Sequence, residues 1–92
     1  MNRKDVEKFR KAELKSAMKD SGLDRKAFKA MFELGGFGGH ELLDRTYLLS
    51  TMLDDFVLNH PAALLNPELY QQATKVSRAL GKLYQMVGTA TG

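Results

Sequence analysis

The 92-residue chain contains no cysteine and only two prolines. It has no apolar run near the ~18 residues that span a bilayer. Without cysteine, neither a disulfide scaffold nor a thiolate metal site can form. The first residues, Met1-Asn2-Arg3-Lys4-Asp5, are charged and lead into a charged helix, so they do not read as a secretory signal. No membrane partner is expected, and the expected residence is cytoplasmic. Credible catalytic constellations are also missing. Ser16, Ser21, Ser50 and Ser77 lack a nearby His-acid pattern. Asp54 and Asp55 are adjacent, so their side chains diverge by about 100° on a helix. No enzymatic activity, cofactor or small-molecule substrate is expected.

What remains is the composition of a folded protein, 43% hydrophobic and 27% charged. Its length allows one helical domain over residues 1–92. A chain this short buries little more than half of its extended surface, which makes a lone monomer marginal and favours a homodimer. The net charge of +3 is unevenly distributed. Residues 1–30 hold ten Lys/Arg against five Asp/Glu, whereas residues 31–60 hold one against five. Such asymmetry suits an external polyanion, or pairing of the first helix with the third within or between subunits.

The pattern is all-α, a small bundle of about four helices over residues 3–20, 25–34, 41–59 and 67–87. The first places Lys4, Lys8, Lys11, Lys15 and Lys19 within an arc of roughly 80° at about 100° per residue. No carboxylate shares that arc. A row of ammonium groups suits the phosphates of duplex DNA, or an acidic protein surface. It is also what an ordinary solvated face looks like. Val6, Phe9, Leu14 and Ala17 form the opposite side, and Ser21-Gly22 breaks the helix.

Asp24 is the expected N-cap of the second helix, with Leu23 stapled to Phe28. Ala27, Phe28, Met31, Phe32 and Leu34 are expected to face inwards. Arg25, Lys26 and Lys29 would extend the basic surface. Leu14 to Met31 could form a helix-turn-helix, but Met18 stands where a small residue is usual and Ser21 where an apolar one is. A plain helical hairpin is the favoured reading. Residues Gly22-Leu23-Asp24-Arg25-Lys26-Ala27-Phe28-Lys29-Ala30-Met31-Phe32-Glu33-Leu34 resemble the turn and second helix of the GapR nucleoid-associated family, mainly through G-hydrophobic-D-x-K-A. Members are small, helical, lysine-rich oligomers that clamp duplex DNA. The resemblance implies contact with the DNA backbone, with Lys26 the carried-over residue. The chain departs from that family in a shorter first helix and in the glycine loop that follows.

Gly35-Gly36-Phe37-Gly38-Gly39 reads as a hinge or as a turn needing positive φ. It is a poor phosphate cradle, because Glu41 and Asp44 follow it. Phe37 is either tucked into the core, the favoured placement, or offered to a partner. His40 and Asp44 share a helix face but offer too few ligands for a metal. The third helix is apolar around most of its circumference, from Leu42 to Leu58, with Glu41, Asp44, Asp54 and Asp55 forming the polar arc. A helix of that kind is central or is shared with another subunit. His60 is expected to sit at its C-terminus, Pro61 ends it, and residues 61–65 can form one turn.

Asn66, Pro67 and Glu68 give the fourth helix a cap, a first residue and a favourable first-turn charge, and Gly88 is expected to close it. Leu69, Ala73, Val76, Leu80, Leu83 and Val87 repeat at heptad spacing. Ala73, Ser77 and Gly81 form a second row, small enough for another helix to approach closely. The composite expectation is a non-enzymatic regulator that binds nucleic acid through the lysine face. The alternative is a protein-interaction module, an inhibitor or adaptor, docking through Phe37, Leu69, Val76, Leu80 and Leu83.

Overall fold

In a computed structural model, residues 1–91 can be described, and all their regular structure is helical. They fall into two compact units, Met1–Phe32 and a second that begins at Glu33.

The first unit is two helices, α1 (Arg3–Ser21) and α2 (Arg25–Phe32). The Asn2 side chain accepts the Asp5 amide at 2.9 Å, and Asp5 sits where the helix dipole favours an anion. At the other end Gly22 turns left-handed, φ 71°, and its amide donates to the Lys19 carbonyl. Asp24 caps α2 as expected, accepting the Ala27 amide at 2.8 Å. The expected apolar side of α1 is covered only near its C-terminal end. Leu14 and Met18 are half-buried, whereas Val6, Phe9 and Ala17 are exposed. The reason is length. Eight residues of α2 reach about 12 Å, against about 28 Å for the nineteen of α1. Within α2 only Phe28 is half-buried, and Ala27, Met31 and Phe32 are exposed, contrary to the inward-facing set expected.

The second unit contains α3 (Phe37–Leu53), a π turn (Asp54–Leu58), the single turn α4 (Pro61–Leu64) and α5 (Pro67–Thr91). Helices α3 and α5 form an antiparallel hairpin. Leu43 approaches Gly88, Tyr47 meets Tyr84 at a ring separation of 5.9 Å, and the Ser77 hydroxyl donates to Asp54 Oδ1 at 3.1 Å. Thr46, buried on α3, returns its hydroxyl proton to the Leu43 carbonyl. Asn66 caps α5, accepting from the amides of Glu68 and Leu69 at 3.1 Å each.

Several boundaries differ from expectation, among them the end of α2 at Phe32, two residues early. Helix α3 starts at Phe37, four residues early, with Gly38 and Gly39 inside its first turn. No glycine of that segment has positive φ. Gly39 is required for a different reason, since a Cβ there would land on the Leu34 backbone carbonyl. Helix α5 runs through Gly88 to Thr91, because Gly88 lies against Leu43 and has no need to turn left-handed. His60 belongs to α4, which it caps by accepting the Ala62 amide on Nδ1 at 3.0 Å.

Gly39→Ala should therefore lower stability by about 2 kcal/mol or more, since backbone atoms must move. Gly81→Ala, where an added Cβ meets no atom within 4 Å, should raise it by about 1 kcal/mol through helix propensity. Urea denaturation of the two variants checks both signs.

Candidate functional site

The α3–α5 contact uses a side of each helix that leaves other apolar side chains unused. On α5 the side facing α3 is dominated by Ala73, Ser77, Tyr84 and Gly88, with Leu80 half-buried and Val87 buried. Leu69, Val76 and Leu83 lie around the cylinder from that contact, spaced by seven residues, and remain about half exposed. On α3 the corresponding flank carries Leu42 and Leu49, again seven apart. The next member is Val57, eight further on. The π turn inserts the extra residue, turning Leu58 towards α5 and Val57 outwards.

Handedness places both rows on one face. The helices run antiparallel, so at about 100° per residue the flank that precedes the contact on each points to the same side. The groove at one end of the hairpin has the same sidedness. It encloses about 410 Å³ and is lined by Leu53, Phe56, Val57, Ala63, Leu69, Gln72, Ala73 and Val76, among others. The opposite side carries the tyrosine pair and the Asp54–Ser77 bond. Gly81 also lies there and meets nothing, so the expected close approach along the Ala73-Ser77-Gly81 row does not extend to it.

Of the expected partner-binding residues, Leu69, Val76 and Leu83 share this face and Leu80 borders the α3 contact. Phe37 is 71% exposed in the first turn of α3 rather than in the core. The groove under the π turn is not legible in the sequence, because no local pattern marks where one extra residue enters a helix.

In the first unit, Lys4, Lys8, Lys11, Lys15 and Lys19 are all exposed, as are Arg25, Lys26 and Lys29. Among the described residues the ion pairs are Arg10–Glu7 and Arg45–Glu41, so none of these eight cations has a carboxylate partner. Arg10 Nε donates to Glu7 Oε2 at 2.9 Å. That hydrogen bond holds the Glu7 carboxyl below its ordinary 4.5 and raises the Arg10 guanidinium. A shallow cleft of about 390 Å³ is lined by Arg10, Lys11, Lys15 and Arg25 around Leu14 and Met18. Arg10 did not figure among the expected contacts, since it lies off the lysine arc. Its signal is the run of three cations, Arg10, Lys11 and Lys15, beside the basic start of α2. This unit contributes only two helices.

Among the described residues, no three His, Asp or Glu side chains converge as metal ligands. No helix there is long and apolar enough to cross a membrane. No family model, curated protein or solved structure matches the chain.

Two outcomes follow from the geometry. Ser77→Ala should cost about 1 kcal/mol in urea denaturation by removing the hydrogen bond between Ser77 and the Asp54 side chain. Protonating Glu7 removes its charge-assisted bond to Arg10. The support this pair gives α1 is present above pH 4.5 and fades as the pH falls through the lowered value. A loss of ellipticity at 222 nm in acid that is smaller in Glu7→Gln checks this.

Proposed function

We propose that the protein is a non-enzymatic interaction module that docks on another polypeptide through the apolar face of the α3–α5 hairpin. One observation carries the reading. Helices already packed together leave two seven-residue rows of large apolar side chains uncovered on one side. Scattered exposed leucines are ordinary, but a contiguous apolar face on a small domain marks a contact site. Aliphatic rows at heptad spacing fit the side chains of a further helix.

An apolar dye tests the face directly. At submicromolar chain concentration, anilinonaphthalene sulfonate should brighten on the wild type. Leu69→Glu with Val76→Glu should abolish most of that emission while ellipticity at 222 nm is kept. Equal emission from the variant would contradict the assignment.

A second reading is favoured by the unpaired lysines. The row on α1, extended by Arg25, Lys26 and Lys29, suits the phosphate backbone of duplex DNA, in keeping with the resemblance of residues 22–34 to the GapR family. Affinity would be electrostatic. For five phosphate contacts it should fall about 500-fold between roughly 50 and 200 mM salt. Fluorescence anisotropy with duplex DNA reads this, and Lys8→Glu with Lys15→Glu should remove the signal. Unchanged binding in that variant would exclude the lysine row as the contact.

A further inference from the structure

We infer that the apolar face is covered by a second copy of the same hairpin, so that two chains close a four-helix bundle. The inference rests on the docking reading above and names its partner.

Three features select a second copy. The first is chemistry. Between the two rows the face holds Thr46, Leu53, Ala73 and Leu80 and no Asp, Glu, Lys or Arg, while at the rim Gln72 on α5 and Arg45 on α3, paired with Glu41, occupy equivalent places outside the rows. A surface that meets its own image in a two-fold contact must avoid like charges at its centre, and this one does. A heterologous partner, by contrast, is commonly selected by charge at the contact. The second is periodicity. On α5 the exposed flank repeats at seven residues over Leu69, Val76 and Leu83, and on α3 Leu42 and Leu49 share that step before the π turn lengthens the next to eight at Val57; seven is the spacing at which side chains of one hairpin fill the gaps of another.

The third is area. Leu42, Leu49, Val57, Leu69, Val76 and Leu83 are between 41% and 57% exposed. With Phe56 and Met86 at the rims they present on the order of 700 Å², near the about 800 Å² per partner of a standard stable interface. The hairpin also has a deficit that such a contact would fill. Among the described residues the buried hydrophobic ones are Ala63 and Val87, and no large side chain is fully buried. A unit without a closed core is marginal alone.

The test is the mass of the full-length chain by light scattering from submicromolar to hundred-micromolar concentration, with dye emission read on the same samples. The expected result is a rise from 10.3 kDa to twice that value, with emission per chain falling in step as the face is covered. Leu49→Glu and Leu83→Glu should each hold the mass at one chain. Gly81→Ala, on the opposite side of the hairpin, should leave the doubling unchanged.

A wild-type mass that stays at one chain throughout overturns the inference, whether or not the glutamate variants fold. If that monomer still binds dye, the docking face stands and belongs to a different polypeptide. If it binds none, the docking reading falls too. A mass beyond two chains contradicts the closed pair.

Discussion

The contact between α3 and α5 determines what else the second unit can do. It is made through small and polar positions on α5, namely Ala73, Ser77 and Gly88, against Leu43, Thr46, Ser50 and Asp54. With Leu43, Leu80 and Val87 also packed there, these small residues let the helices pair while leaving Leu42, Leu49, Leu69 and Leu83 outside the contact. The consequence is an excess of aliphatic side chains with no partner in the hairpin. At about 25 cal/mol per Å², some 700 Å² left in water represents on the order of 15 kcal/mol of unrealised transfer free energy, before any ordering or association cost is counted. That gross term is comparable with the whole net stability of an ordinary small domain, about 5–15 kcal/mol, so the fate of the face matters more than any single contact within the hairpin.

The two units divide the charge as well as the structure. Residues 1–32 hold ten cations against five anions, and residues 33–92 hold four against six. The basic unit has little apolar packing, with Leu14, Met18, Leu23 and Phe28 half-buried and none buried. The acidic unit carries the unused apolar rows. Electrostatic capture of a polyanion and apolar docking therefore draw on different residues.

Much of the fold was legible in the chain. Asp24, Asn66 and Gly22 mark helix ends by chemistry that acts locally, and each does so in the structure. The heptad row on α5 was legible too. Which side of α5 would meet α3 was not, because a leucine row and a small-residue row can both serve as a seam, and periodicity alone does not choose between them. Gly39 was misread for a related reason. A run of glycines suggests freedom, but close approach by the Leu34 backbone is a property of tertiary structure. The π turn, the early start at Phe37 and the groove all depend on how α3 fits α5, and no local rule encodes that fit. The exposed lysines were expected because a helix with one charged arc has nowhere else to put it.

Hydrogen exchange followed as a function of chain concentration tests the central claim most directly. If a second hairpin covers the face, amides of α3 and α5 should exchange more slowly as concentration rises, while those of α1 keep their rate. Protection of α3 and α5 that does not change with concentration would contradict the account.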